Sequence, residues 1–128
     1  MELKKLVQNI SDLEIIGTND LNIEKISNNS KEVKPGDLFI AIKGEKFDGH
    51  NYIENVIKKG IQCIVCEVIP ETKIKNITFI KTKSSKDTYS RICCNFFDNP
   101  SSKLNLVGTT GTNGKTTCST LLYQMFSL

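Results

Sequence analysis

"LFIAIKGEKFDGHNYIENVIKKGIQCIVCEV", residues 38–68, holds two short apolar runs separated by a segment with helical spacing. Leu38–Ile42 is apolar at every position, as expected of a strand covered on both faces. "GEKFDGH", residues 44–50, is a glycine-rich loop. From His50 to Lys59, the side chains of Tyr52, Ile53, Val56 and Ile57 fall on one side of a helix. Lys58 and Lys59 end it and Gly60 supplies the stop. Gln62–Val68 then reads as a second strand. Strand, helix and strand in that order predict a right-handed crossover and a parallel pair.

The same reading extends outward. Upstream, Leu3, Leu6, Val7 and Ile10 have helical spacing, "LEIIGTND" (13–20) holds a short strand, and "LNIEKIS" (21–27) alternates as a half-buried strand. The polar loop "NNSKEVKPGD" (28–37) follows, with Pro35-Gly36 suited to a type II turn. Downstream, the polar "PETKIKN" (70–76) leads to a strand in "ITFIKT" (77–82). Ser84 with Asp87 resembles a capping box, and Tyr89, Ile92, Cys93, Phe96 and Phe97 repeat as one helical face that ends near Asn99-Pro100. The expected fold class is α/β, with a small domain over residues 1–103.

Length and composition agree with one soluble domain: 128 residues, 38% apolar and 24% charged. The net charge of +3 comes from scattered lysines rather than a dense basic run, which argues against nucleic acid as a partner. No apolar run approaches the ~20 residues of a bilayer span, so a soluble, cytoplasmic protein with no membrane partner is expected. The five cysteines are an odd number and read as reduced thiols. Cys63 and Cys66 have metal-ligand spacing, but on a strand residues three apart point to opposite faces.

A second unit is expected over residues 104–128. "LNLVGT" (104–109) reads as a strand, "TGTNGK" (110–115) as a glycine-bearing loop and "TTCSTLLYQMF" (116–126) as a helix. Strand, loop and helix in that order present backbone N–H groups and a helix N-terminus to a phosphate. Gly111 and Gly114 permit close approach, Lys115 supplies a cation for the β- and γ-phosphates, and Thr116 offers a hydroxyl to Mg²⁺. The general phosphate-loop pattern wants glycine where Thr109 stands. Leu121, Leu122, Met125 and Phe126 make an apolar face with no later element to cover it. Either this unit packs on the first domain or the chain is a piece of a longer protein, and the second is the expectation.

The loop "GTTGTNGKTT" (108–117) together with "NNSKEVKPGDLFIAIKGEKFDGHNYIENVIKKG" (28–60) resembles the start of the Mur ligase family, ATP-dependent enzymes of peptidoglycan-precursor synthesis. "TGTNGKT" is the family's usual phosphate loop, which accounts for Thr109. The resemblance implies an N-terminal Mur-ligase-type domain that holds the UDP part of the substrate, then the first strand, phosphate loop and helix of a truncated central domain. It implies ATP-binding by Gly111, Thr112, Asn113, Gly114, Lys115, Thr116 and Thr117, with Lys115 catalytic and Thr116 on Mg²⁺. The family's "DSR" element stands here as Asn29-Ser30-Lys31. Ser30 is carried over as a contact to the UDP-substrate, and Lys31 keeps a charge without arginine's fork. The loop bearing Gly44 and Phe47 corresponds to the part that borders the uracil. His50, the chain's one histidine, reads as a cap or surface residue at a helix start.

The implied reaction attaches a diamino acid, L-lysine or meso-diaminopimelate, to UDP-N-acetylmuramoyl-L-alanyl-D-glutamate through an acyl phosphate. The branch that adds D-alanyl-D-alanine is the alternative. A monomer is expected, inactive as these 128 residues alone. Readings of another class are a stand-alone UDP-sugar-binding module and a small nucleoside triphosphatase of unrelated purpose.

Overall fold

A computed structural model of the chain describes residues 1–70 and 76–127. Most of the polar stretch read as the link before "ITFIKT" lies outside the described residues. The sheet is mixed, with strand order β1-β5-β4-β3-β2. Its centre is β3 (Leu38–Ile40), β4 (Cys63–Cys66) and β5 (Thr78–Lys81), all parallel. The short β2 (Ile26–Ser27) extends the parallel set beside β3, and β1 (Glu14–Ile16) closes the other edge antiparallel to β5.

Alternation along the central strands divides the core into two layers. Leu38, Ile40, Cys63, Val65 and Ile80 face the layer that holds Leu3, Leu6 and Ile92, which come from α1 (Leu3–Leu6) and α3 (Ser85–Phe96). Phe39, Ala41, Ile64, Cys66 and Phe79 face Ile53 and Val56 of α2 (Ile53–Lys58). Helices on both faces are what a parallel sheet demands, and they explain why "LFIAI" and "CIVC" have no polar alternation. Phe39 and Leu38 are fully buried on opposite faces. Each contributes on the order of 2 kcal/mol relative to exposure. Cys63 and Cys66 belong to different layers, so the pair does not converge on a ligand.

The expected elements form with instructive differences. Lys34 O accepts from the Asp37 N–H at 3.0 Å and Gly36 has φ +95°, which fits the expected turn. "LNIEKIS" supplies only two strand residues, with Asn22 making an isolated bridge to Glu2. The segment after His50 begins as a 3₁₀ turn, Gly49–Tyr52, before α2. That turn rotates Tyr52 away from the side of Ile53 and Val56, leaving it 39% exposed, a correction to its expected place on one helical side with them. At α3, Ser84 Oγ accepts from the Asp87 N–H at 3.3 Å, which is the forward half of the expected capping box. Phe97 is 65% exposed, whereas Tyr89 and Phe96 pack against the core.

"LNLVGT" is not a strand. Residues 104–109 pair with no neighbour among the described residues, and without an inter-strand ladder an extended segment has no partner for its backbone groups. α4 (Lys115–Phe126) does form as expected. Among the described residues no helix is long and apolar enough to cross a membrane.

Candidate functional site

The parallel strands end on one side of the sheet, and loops leaving their carboxyl ends are where open α/β sheets bind ligands. Two such loops make a cleft of about 490 Å³ here. One wall follows β2 and consists of Asn28, Asn29, Ser30 and Lys31; the other follows β3 and includes Ile42, Gly44 and Phe47. Phe39 closes the floor, and Gly49 and Tyr52 close the end. All four residues expected to contact the UDP-substrate, Ser30, Lys31, Gly44 and Phe47, therefore line one cleft. Asn28, Phe39, Ile42 and Tyr52 also line it, with no local sequence signal that marks them.

Local hydrogen bonds shape the first wall. Ser27 Oγ accepts from the Asn29 N–H at 3.1 Å, and Asn29 Oδ1 accepts from the Lys31 N–H at 3.1 Å, an Asx turn that presents Ser30 at its bend. Lys59 then donates from Nζ to the carbonyls of Ser30 at 2.7 Å and Lys31 at 3.1 Å. The backbone-directed bonds an ordinary loop serine makes are thus supplied here by Ser27 and Asn29. Ser30 Oγ has no hydrogen bond among the described residues and is half-buried at the cleft. It keeps both a donor and an acceptor for a ligand.

The second wall is a tight loop. Gly44 N–H donates to the Phe47 carbonyl at 2.9 Å, and Lys43 bridges to Asp48. Phe47 lines the cleft and stays 74% exposed, so it is a surface aromatic and not a core residue. Gly49 passes so close to β3's extension that a Cβ would sit 2.7 Å from Ile42 N. His50, one residue on, neither caps the helix nor faces solvent. Asp48 is the cap, its Oδ1 accepting from the His50 N–H at 2.9 Å. The His50 ring reaches Asp48 Oδ1 through Nδ1 at 2.7 Å and the Glu67 N–H through Nε2 at 2.9 Å. The backbone and ring N–H groups of His50 hold the Asp48 carboxyl below the usual range.

The other expected site is the loop before α4. Gly111 and Gly114 take φ +150° and +78°, and no atom lies within 4 Å of a Cβ built on Gly114. No side chain caps α4. Lys115 Nζ curls back to the Gly111 carbonyl at 2.5 Å, which puts its charge over the loop. An uncapped helix N-terminus, an open glycine loop and an ammonium over it fit a polyphosphate. Thr116 uses its carbonyl to accept from Ser119 Oγ and Thr120 Oγ1, while its own hydroxyl has no bond among the described residues. From Leu104 to Ser127 every residue is exposed except half-buried Leu122. Val107 and Thr109 face Leu122 and Phe126 across an open groove of about 550 Å³.

Cys63 and Cys66 are buried thiols. Burial pushes Cys63 up to about 12 and Cys66 up to about 11. Among the described residues no cluster of three or more potential metal ligands occurs.

Three comparisons bear on these features. A UDP-N-acetylmuramoyl-L-alanyl-D-glutamate–2,6-diaminopimelate ligase of Phocaeicola vulgatus is 47% identical over 98% of this chain, which spans 26% of that relative's length. The structure of UDP-N-acetylmuramoylalanyl-D-glutamyl-2,6-diaminopimelate–D-alanyl-D-alanyl ligase from Acinetobacter baumannii superposes with a TM-score of 0.62 at 25% identity, covering 90% of this chain and 25% of that one. The MurF ligase from Thermotoga maritima in complex with ADP gives a TM-score of 0.52 at 33% identity, covering 73% of this chain and 21% of the other. The profile described as Mur ligase family, catalytic domain, matches residues 22–92, which include both cleft walls and α2. With that match over more than half of its residues, the chain belongs to the Mur ligase family.

Proposed function

We propose that this chain supplies the UDP-substrate-binding domain and the phosphate loop of a cytoplasmic, ATP-dependent ligase that adds diaminopimelate to UDP-N-acetylmuramoyl-L-alanyl-D-glutamate. The observation that carries the reading is the cleft, where Ser30, Lys31, Gly44 and Phe47 converge at the carboxyl ends of β2 and β3. The diamino-acid branch is favoured over the D-alanyl-D-alanine branch by likeness of sequence. The relatives named for diaminopimelate reach 47% identity over nearly the whole chain, against 25% and 33% for the two structures of the other branch.

In this reading Phe47 offers a flat face to the uracil, and the unpaired Ser30 hydroxyl donates to a ribose or diphosphate oxygen. Lys31 adds an exposed charge beside the diphosphate. Gly111 to Thr117 would hold the phosphates of ATP, with Lys115 over the transferred group and the Thr116 hydroxyl available to Mg²⁺. ATP would supply the phosphoryl group that activates the substrate carboxylate. The chain's own part is to neutralise charge there through Lys115 and the first N–H groups of α4. Residues 1–103 and 104–128 are the proposed division between the two tasks, and the unit is proposed to act as a monomer. The 128 residues by themselves are proposed to bind nucleotide without forming product.

Calorimetric titration with UDP tests the cleft. Binding that weakens about three- to tenfold in Ser30→Ala is expected. No uptake of UDP, or a variant that binds as well as the parent, overturns the assignment. Product formed by this chain from ATP, precursor and diaminopimelate would overturn the claim that it is inactive alone.

A further inference from the structure

His50 joins the second cleft wall to the end of β4, and its hydrogen bonds define its chemical state. An amide N–H can only donate, so the ring nitrogen facing Glu67 N at 2.9 Å must be an unprotonated acceptor. The ring proton is therefore on Nδ1 and is donated to Asp48 Oδ1 at 2.7 Å. That is one tautomer of the neutral imidazole. An imidazolium would turn an Nε2–H toward the Glu67 N–H, donor against donor. The His50 side chain is 16% exposed, so water does not readily replace either bond.

The ring ties parts that are far apart in sequence. Asp48, Gly49 and His50 belong to the segment that forms the second wall and the end of the cleft. Glu67 directly follows β4, and its own Oε1 accepts from the Ser85 N–H at 2.9 Å, at the first turn of α3. Gly49 N–H adds a bond to the Ile42 carbonyl at 2.9 Å. Removing the ring would leave residues 43–52 held between β3's extension and Ile53 of α2, with no bond to the end of β4 among the described residues.

We propose that His50 is a positioning residue for nucleotide binding: as the neutral, Nδ1-protonated imidazole it fastens residues 42–52 to the end of β4 and holds the Phe47 wall opposite Ser30. The proposal rests on the reading of the cleft as the UDP site, and it assigns His50 no contact with the nucleotide.

Two conservative variants separate the two bonds. Asparagine carries its amide nitrogen as many bonds from Cα as Nδ1, so His50→Asn keeps the Asp48 contact and loses the acceptor for Glu67. Glutamine carries its amide oxygen where Nε2 lies, so His50→Gln keeps the Glu67 contact and loses the other. Titration of the whole chain with UDP should show His50→Asn weaker by about tenfold and His50→Gln within about threefold of the parent. A long-range ¹H–¹⁵N spectrum of the parent should show the neutral Nδ1–H form at neutral pH. An Nε2–H or charged ring there, or His50→Asn binding UDP as the parent does, overturns the proposal. A parent that takes up no UDP overturns the cleft reading itself, and the role of His50 toward nucleotide with it. If His50→Asn fails to fold, His50→Gln and the tautomer spectrum decide: a glutamine variant as weak as about tenfold, or the wrong tautomer, rejects it.

Discussion

Lys59 Nζ lies 2.7 Å from the carbonyl oxygen of Ser30, a residue 29 positions earlier in the chain, and 3.1 Å from that of Lys31. The ammonium comes from the C-terminal end of α2, where a cation is also favoured by the helix dipole. It braces the first cleft wall from behind, as His50 braces the second from the other end of the same helical segment. Lys59→Met keeps the apolar stem and removes both charge-assisted bonds. UDP affinity is expected to fall about threefold, with thermal stability changed by less than about 1 kcal/mol because the ammonium is solvent-exposed. Calorimetry and thermal unfolding on the same sample check the two numbers.

Gly49→Ala places a methyl 2.7 Å from Ile42 N and 2.9 Å from Ile42 O. Both are main-chain atoms of the extension of β3, so neither can swing aside. A loss of about 2 kcal/mol is expected, together with UDP binding weaker than the stability loss alone explains. Urea unfolding followed by titration well below the midpoint separates the two effects.

Thr78, buried at the start of β5, bonds β1's continuation twice: its Oγ1 accepts from the Thr18 N–H at 3.1 Å and donates to the Thr18 carbonyl at 2.9 Å. Thr78→Val preserves shape and leaves both Thr18 groups to find water. A destabilisation of about 1–2 kcal/mol is expected, read as a lower urea midpoint at unchanged m-value.

The Asp48 carboxyl is held low first by the His50 backbone N–H and then by its ring. A carboxyl depressed in the folded chain adds stability above its unfolded value, here about 3.8, and gives it up as pH falls through the lower folded value. The share of the second wall's exchange protection that the Asp48 carboxylate supplies should therefore be lost only below about pH 4. Amide exchange at Gly49 and His50 measured across that range tests the direction. In Asp48→Asn this acid limb should be absent.

Thiol reactivity should be ordered by burial. With Cys63 pushed up to about 12 and Cys66 to about 11, neither presents thiolate at pH 8. Cys94 and Cys118 are exposed. Mass-resolved alkylation of native protein is expected to label those two first, and Cys63 or Cys66 only on unfolding.

Much of this arrangement is legible in the sequence, because local rules govern it. Leu38–Ile42 and Gln62–Val68 announce buried parallel strands by lacking alternation, and Gly60 and Ser84 mark helix ends. The cleft residues Ser30, Lys31, Gly44 and Phe47 are reached through family likeness, not periodicity. What is hidden depends on partners remote in sequence. Tyr52 shares a side with Ile53 and Val56 only if the helix is α from His50 onward; the 3₁₀ first turn, with three residues per turn, sends it to the cleft. His50 has no readable role because Glu67 lies 17 positions away. The strand expected at 104–109 fails for the same reason: apolar pattern alone does not make a ladder, and no neighbour pairs with it among the described residues.

The antiparallel edge has a consequence for the order of assembly. β1 pairs Glu14 with Lys81 and Ile16 with Phe79, and Asn95 of α3 donates to the carbonyls of Leu6 and Gln8 beside α1. β1 and the end of α1 thus find these partners roughly sixty to ninety positions further along the chain, whereas Glu2 and Asn22 pair locally. The β3–α2–β4 unit closes over short separations and can form first. Pairing of β1 with β5 is then a late step, and with it Leu3 and Leu6 close the layer against Ile92 of α3.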